Sequence, residues 1–335
     1  MKSAIYMDGN RFIETEFKIE EDFEKIVKEN SKTLFGSKTI YFDTKNKIET
    51  KTMGGAVPDG FLFDFRERNN PEFYLVEIEL QRHDFDRHIF PQIKKFFSFF
   101  KNSKSRDDLI GKIFNFIKSN SSLEQEFKKF IGEKEIYKTL KDVIENSQNI
   151  LLVIDEYKPE FDETSETITE WAKLVKIEVL KQYTANKKSI FTLNPDFEDI
   201  GFVEPISTDN EDVEYNESYH LGDVNENVVS IYKLIKEKIS KLDQSIIINP
   251  QKYYISLRKH RNFAFIKIKK KKMHIVIMLP YENGASLIKK HKVTQLHESV
   301  QTFYNGPCFK VTLDNEENLD EVLKALEEAY KQQNN

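Results

Sequence analysis

The sequence predicts an α/β protein in two parts, a mixed central sheet flanked by helices and a smaller α+β domain. Three observations support this. The 335 residues exceed one ordinary domain of roughly 150. Short β-type segments alternate with amphipathic helices, a pattern typical of layered α/β folds. The charge also changes sign: residues 227–335 contain 19 Lys and Arg against 11 Asp and Glu, whereas the preceding part has 13 more acidic than basic side chains. We expect a larger α/β domain at 1–200, an acidic linker at 201–226 and a basic accessory domain at 227–335.

The composition excludes several classes of protein. A hydrophobic content of 39% suffices for a buried core, and a net charge of -5 excludes a uniformly basic nucleic-acid coat protein. The single cysteine excludes a disulfide framework and a multi-cysteine metal site. No apolar run reaches the ~18 residues of a membrane span, and the N-terminus lacks a signal-peptide pattern. We therefore expect a soluble, cytoplasmic protein without a membrane partner.

The elements of the first part follow from apolar spacing. Phe23, Ile26 and Val27 lie on one face of a predicted helix, and a second helix near residue 84 turns Ile89 and Phe96 inward. The run 149–157 is apolar enough for a strand buried on both faces. The predicted helices are 19–30, one starting near 84, and 166–173; the predicted strands are 38–42, 57–65, 73–80, 149–157, 175–182 and 189–193.

The second part has fewer elements. The spacing predicts helices at its start and end, with strands and a lysine-rich hairpin tip at 269–272 between them. The predicted helices are 228–242 and 319–330, and the predicted strands are 253–257, 262–268 and 273–279. These elements define a small α+β module.

Three acidic residues form the main candidate site. Side chains alternate along a strand, so Glu77 and Glu79 face one way, ~7 Å apart along the chain. Asp59 opens the preceding strand between Pro58 and Gly60, and a hairpin would place it beside Glu77. Converging carboxylates repel each other unless a hard cation such as Mg²⁺ joins them. The alternative is that the two glutamates are only the solvated face of a sheet.

This arrangement resembles the PD-(D/E)XK nuclease superfamily. The resemblance rests on Pro58-Asp59, on Glu77-Ile78-Glu79, on Gln92 in a following helix and on Glu24 in the first helix. It spans roughly residues 15–195 and is nearest to stand-alone repair nucleases and Shedu-type defence nucleases. It implies a restriction-endonuclease-like fold and Mg²⁺ (or Mn²⁺) held by Asp59, Glu77 and the Ile78 carbonyl. It also implies DNA as the substrate.

The chain departs from the family at Glu79, where the family usually has lysine. A glutamate here would serve as a general base or hold a second metal. The missing positive charge could come from Arg82, Lys94 or Lys95, and the sequence does not choose among them. Loss of activity is the other outcome of this departure.

Two histidines and a glutamine follow the motif. His83 and His88 are five residues apart, which on an α-helix separates them by ~140° and predicts that they do not share an ion. Both are therefore interpreted as surface histidines, with His88 the better candidate for a phosphate contact. Gln92 either orients a water or Glu79, or simply ends the polar edge of its helix.

The basic C-terminal hairpin is a second candidate site. Its basic side chains are predicted to reach DNA phosphates, or else to form a solvated turn. The residues concerned are Arg258, Lys259, Arg261, Lys269, Lys270, Lys271 and Lys272. The module also resembles a small domain of unknown function found on predicted nucleases.

Together these features predict a Mg²⁺-dependent DNA nuclease with Asp59, Glu77, Glu79, Gln92 and Glu24 as catalytic groups. The resemblance adds a role in DNA repair or in defence against foreign DNA. The alternative is an inactive nuclease fold that binds nucleic acid or protein. A homodimer is compatible with cutting both strands, although no dimer face is identifiable.

Overall fold

The chain forms two compact units in a computed structural model that describes residues 3–43, 57–66, 71–197, 215–222, 224–251, 253–296 and 298–334. The first unit comprises essentially the residues up to 201, and the second those from 208 onward. The predicted fold class is confirmed, since the first unit has a mixed sheet flanked by helices and the second is a smaller α+β unit.

The first unit is built on one mixed sheet. Its strands are β1 (Ala4–Met7), β2 (Asn10–Thr15), β3 (Thr39–Asp43), β4 (Gly60–Asp64), β5 (Glu72–Glu79), β6 (Asn149–Ile154), β7 (Val175–Ala185) and β8 (Lys188–Asn194). The order is β1-β2-β7-β6-β5-β4-β3, with β8 also paired to β7. Strands β5, β6 and β7 are parallel, whereas β4 runs antiparallel to β5. Every residue of β6 is buried, which confirms the prediction of a strand covered on both faces.

Helices cover both faces of this sheet. They are α1 (Glu20–Glu29), α2 (Ser31–Leu34), a π-helical turn (Phe85–Ile89), α3 (Phe90–Lys101), α4 (Ser103–Ser119), α5 (Ser121–Ile131), α6 (Ile136–Asn146), α7 (Glu160–Thr167) and α8 (Thr169–Leu174). Phe96 and Phe127 lie in the core between the sheet and the helices from α3 onward. Phe23 and Val27 of α1 pack on the other face, against Val76 and Ile78 of β5. The alternation of β5 thus assigns its even-numbered side chains to the α1 face and its odd-numbered ones, including both glutamates, to the opposite face.

The second unit is a sheet with helices on both faces. Its helices are α9 (Glu217–Leu221), α10 (Glu226–Leu242), α11 (Tyr281–Leu287), α12 (Glu298–Phe303) and α13 (Leu319–Asn334). Its strands are β9 (Ile247–Pro250), β10 (Ile255–Arg258), β11 (Asn262–Ile268), β12 (Met273–Ile277), β13 (Lys292–Gln295) and β14 (Phe309–Leu313), in the order β13-β14-β12-β11-β10-β9. One face buries Ile231 of α10 and Leu326 of α13, while Val300 of α12 packs on the other.

Several elements differ from the sequence expectation. The hairpin β1–β2 was not predicted, although Asp8 and Gly9 at its turn have the positive φ angles typical of a tight hairpin. Strands β9, β13 and β14 were also missed, and the single helix expected at 166–173 is two short helices.

The predicted linker contains part of the second unit. Residues 198–214 and 223 lie outside the described residues, but 217–221 form α9. The Glu217 carboxylate accepts hydrogen bonds from the Tyr232 hydroxyl (2.9 Å) and the Lys236 ammonium (2.5 Å), and His220 Nε2 lies 2.7 Å from the Gln251 carbonyl. This segment is therefore an integral element of the second unit.

Over the described ranges, no helix combines the length and apolar character needed to cross a bilayer.

Candidate functional site

The pairing of β4 with β5 fixes the position of Asp59. Gly60 lies directly opposite Val76, so Asp59, one residue earlier, lies beside Glu77. Cross-strand neighbours share a face, which brings Asp59 to the side of the sheet that carries Glu77 and Glu79. The Asp59 carboxylate Oδ2 also accepts a 2.8 Å hydrogen bond from the backbone N–H of Ile78. The three carboxylates are 7%, 3% and 1% exposed, respectively, so the acidic group is largely removed from water.

Tyr41 links this group to the first helix. Its hydroxyl donates a 3.4 Å hydrogen bond to the Asp59 carbonyl. Burial raises the pKa of Tyr41 well above its ordinary value, and the charges of Asp59, Asp43, Glu24 and Glu77 raise it further. The charge of Glu24 in α1 thus affects the same phenol group as the charges of Asp59 and Glu77.

Gly60 makes the close approach of Tyr41 possible. A Cβ atom at residue 60 would lie 2.3 Å from the Tyr41 hydroxyl oxygen and 2.4 Å from the ring carbon that bears it. Any larger residue would push the ring away from Asp59. The glycine of the Pro58-Asp59-Gly60 sequence is thus required by packing next to the site.

Glu79 is surrounded by imidazoles. Its Oε2 lies 2.7 Å from His83 Nδ1, and its Oε1 lies 3.2 Å from His88 Nε2. His83 Nδ1 is also 3.4 Å from Glu20 Oε2 in the first turn of α1. One ligand atom from each of these four residues lies within 4.8 Å of the others.

The prediction that the two histidines cannot share an ion is therefore wrong. Their ring centroids are 4.9 Å apart. The error has a structural cause: His83 lies in the turn before the helix, and His88 lies in the π-helical turn, so the angular spacing of an α-helix does not apply to them. The grouping joins residues from α1, β5 and the following turn, which sequence spacing alone does not reveal.

The environment of Glu79 changes its titration. Burial raises its pKa to about 7; the charges of Glu20 and Glu24 act in the same direction, while His88 opposes them. A carboxyl group with a pKa near neutrality can accept or donate a proton at physiological pH. Glu79 is thus suited to proton transfer.

The turn after β5 is fixed by two residues that the sequence reasoning missed. The buried Lys158 ammonium donates hydrogen bonds to the carbonyls of Gln81 (2.8 Å) and His83 (3.2 Å). The Asp155 carboxylate accepts one from the Gln81 N–H at 2.6 Å. Both residues follow β6, the strand next to β5, and they hold the main chain of the turn that carries His83. A buried lysine is rare without such partners, and the pairing explains its place here.

The other predicted groups lie around this turn. Gln92 Nε2 is 3.4 Å from His88 Nε2, so the glutamine adjoins a histidine. The Arg82 guanidinium donates to the Lys18 carbonyl at 2.6 Å, and the Lys94 ammonium lies 5.5 Å from the centre of the Phe90 ring. Lys95 is exposed on α3. Within the described ranges, the basic groups in direct contact with Glu79 are the two imidazoles.

The second unit has a basic sheet face that the sequence reasoning found only in part. Lys267 pairs with His274 across β11 and β12, and Lys310 of β14 lies on the same face. All three side chains are less than 10% exposed, and His274 Nδ1 lies 3.0 Å from the Thr312 hydroxyl. The opposite face of these strands is apolar core.

The predicted phosphate contacts occupy varied positions on this unit. Arg258 and Arg261 lie at the end of β10 and in the following turn, and Lys269, Lys270, Lys271 and Lys272 form the hairpin tip. Lys272 is 7% exposed, so it lies against the sheet. Lys259 donates to the Asp243 carboxylate at 2.9 Å and to the Tyr330 hydroxyl at 3.3 Å. Its ammonium is thus already engaged within the unit.

Fold and site together define a two-unit α/β protein with a buried acidic group in one unit and a basic sheet face in the other. Residues 217–333 match the family model described as "Domain of unknown function (DUF5655)". The chain is similar to an "Uncharacterized protein" of Haemophilus influenzae, 31% identical over 117 residues. That match covers 35% of this chain and 37% of the relative, so the chain spans little more than a third of the relative's length. No solved structure matches the chain.

Proposed function

We propose that the protein is a Mg²⁺-dependent nuclease that hydrolyses phosphodiester bonds of DNA. The observation that carries this proposal is the buried group of Asp59, Glu77 and Glu79, with Asp59 hydrogen-bonded to the Ile78 N–H. Buried carboxylates repel each other, and a bound hard cation would offset that repulsion. The resemblance of this motif to the PD-(D/E)XK superfamily gives the proposal its reaction class.

The donor groups of the site are of the chemical type that suits a magnesium ion. Asp59, Glu77 and the carbonyl of Ile78 would supply oxygen ligands, the donor type that Mg²⁺ prefers. When bound, the ion would polarise a phosphoryl oxygen and make a coordinated water more acidic. Glu79, with its pKa of about 7, would accept the proton of the attacking water. The exposed His88 and the half-buried Gln92 beside it would contact a phosphate or a water.

We assign the second unit an accessory role in holding DNA. The exposed side chains of Arg258 and Arg261 offer positive groups to phosphates, and each phosphate neutralised releases counterions. Cleavage or repair of cellular DNA and defence against foreign DNA both fit such an enzyme, and the choice between them rests on family resemblance.

The experiment is a cleavage assay on plasmid, linear and single-stranded DNA with Mg²⁺, with Mn²⁺ or with EDTA. We expect cleavage with either metal, none with EDTA, and loss of cleavage in Asp59→Asn. Asparagine keeps the size of the Asp59 side chain, so circular dichroism of the variant should match that of the parent protein. Cleavage that continues in Asp59→Asn would show that Asp59 is not part of the active site.

A second candidate function is an inactive nuclease fold that binds DNA or protein. It is favoured by Glu79, which stands where the resembling family has lysine and is already in contact with two histidines. Salt-sensitive DNA binding without cleavage, and without any thermal stabilisation by Mg²⁺, would support this alternative.

A further inference from the structure

Four side chains converge beside the acidic group at the end of β5. They are Glu20, Glu79, His83 and His88, and they offer two carboxylate oxygens and two imidazole nitrogens. We infer that these four residues bind one divalent transition-metal ion of the Zn²⁺ or Mn²⁺ class. The inference goes beyond the proposed DNA cleavage, because Asp59 and Glu77 take no part in this site. The site shares Glu79 and His88 with the proposed nuclease, so a metal bound here would occupy the general base and the phosphate contact of that reaction.

The spacing of the donor atoms fits a single coordination sphere. Bonds of about 2.0 to 2.1 Å arranged as a tetrahedron place neighbouring ligand atoms ~3.3 Å apart. The observed separations are 2.7 Å and 3.2 Å from the Glu79 oxygens to the two imidazole nitrogens, and 3.4 Å from His83 Nδ1 to Glu20 Oε2. All four donor atoms lie within 4.8 Å of one another, so side-chain movements of up to ~1.5 Å would bring them around one ion.

The kind of donor selects the kind of metal. Mg²⁺ and Ca²⁺ prefer oxygen ligands alone, whereas imidazole nitrogen suits zinc and other first-row transition metals. A set of two histidines and two glutamates therefore suits a metal ion of intermediate hardness, such as Zn²⁺. Its donor type differs from that of Asp59, Glu77 and the Ile78 carbonyl, which are all oxygen groups.

The surroundings hold the ligands in place and leave a way in. Glu79 is 1% exposed and rigidly placed on the central strand β5, and Lys158 fixes the carbonyl of His83. The side chains of His83, Glu20 and His88 are 25%, 33% and 46% exposed. The buried Glu79 carboxylate thus lies at the bottom of the site, and the more exposed ligands leave a side open through which an ion can enter.

Metal binding is the direct test, and it requires no DNA. Chelator-treated full-length protein is titrated with Zn²⁺, Mn²⁺ and Mg²⁺ by calorimetry, and Co²⁺ is added separately to record its visible absorption. We expect one equivalent of Zn²⁺, bound far more tightly than Mg²⁺, and visible Co²⁺ bands of a site with nitrogen ligands. His83→Ala and His88→Ala should each weaken Zn²⁺ binding by about tenfold or more. Loss of a residue that only hydrogen-bonds to a metal ligand already lowers metal affinity by about 10- to 100-fold, and loss of a ligand itself should cost at least as much.

The matched control is His291→Ala, which removes a half-exposed histidine of the second unit. The fluorescence of Trp171, the single tryptophan, checks that the first unit of each variant is folded. Equal Zn²⁺ affinity in the His83→Ala/His88→Ala double variant and the control would overturn the inference, as would Zn²⁺ binding no tighter than Mg²⁺. Asp59→Asn should keep Zn²⁺ binding, so failure of the nuclease proposal and failure of this site are distinguishable.

Discussion

The titration of Glu79 makes a quantitative prediction for the metal-free protein. Its pKa is about 7 in the folded chain against an ordinary value of 4.5, and the unfolded chain takes the ordinary value. Because the native state holds the proton of the Glu79 carboxyl group more tightly than the unfolded chain does, protonation of Glu79 stabilises the folded protein. This contribution to the free energy of unfolding is complete below pH 4.5 and is lost as pH rises through 7. At 1.36 kcal/mol per pKa unit, the 2.5-unit difference corresponds to ~3 kcal/mol.

Glu79→Gln removes the titrating group while keeping its shape. We expect the free energy of unfolding of the parent protein, relative to the variant, to fall by ~3 kcal/mol between pH 4.5 and pH 8. The assay is urea unfolding in EDTA followed by the fluorescence of Trp171, which is 2% exposed in the core of the same unit. Glu133→Gln, which alters an exposed glutamate, is the control. Parallel pH profiles for the parent protein and Glu79→Gln would refute the reasoning.

Three further predictions concern other positions. Gly60→Ala should destabilise the first unit by about 1 to 3 kcal/mol, because the added Cβ collides with the Tyr41 ring. The added Cβ of Gly111→Ala in α4 meets nothing within 4 Å, so this control should stabilise the unit by up to ~1 kcal/mol. Thermal unfolding of the two variants compares these effects. Glu178→Met should stabilise the protein by about 1 to 3 kcal/mol at pH 8 and by less at pH 5, because burial raises the pKa of Glu178 well above its ordinary value. Neither of its carboxylate oxygens has a hydrogen-bond partner among the described residues. Urea unfolding at the two pH values tests this, and a loss of stability at pH 8 would contradict it. Arg261→Ala removes an exposed basic side chain and should weaken DNA binding. The slope of log affinity against log salt, measured by fluorescence anisotropy, should fall by about one, and an unchanged slope would exclude Arg261 from the DNA contact.

Much of the first unit could be predicted from local pattern. The strand β6 is recognisable because six consecutive buried residues need a continuous apolar run, and β5 because its side chains alternate between glutamates and apolar residues. The hairpin β1–β2 was missed because its strands are short and half-exposed, so their composition is weakly patterned. The Asp8-Gly9 pair at its turn was a usable signal.

The site was only partly predictable, because it depends on contacts between distant segments. The position of Asp59 beside Glu77 followed from hairpin pairing, which is local. The meeting of Glu20 with His83 and His88 depends on where α1 packs and on a π-helical turn, and neither can be derived from residue spacing. In the second unit, Lys310 escaped notice because β14 was not recognised as a strand, although Phe309, Val311 and Leu313 alternate as a half-buried strand requires.

The most direct test of the central claim is Mg²⁺-dependent DNA cleavage by Glu77→Gln, measured beside the parent protein and Glu133→Gln. Glu77→Gln keeps the size of the side chain and removes its charge, so a folded protein without the proposed magnesium ligand is expected. The account predicts cleavage by the parent protein and by Glu133→Gln, and none by Glu77→Gln. Cleavage by all three proteins at the same rate, or by none of them with Mg²⁺ or Mn²⁺ on any of the DNA substrates, would contradict it.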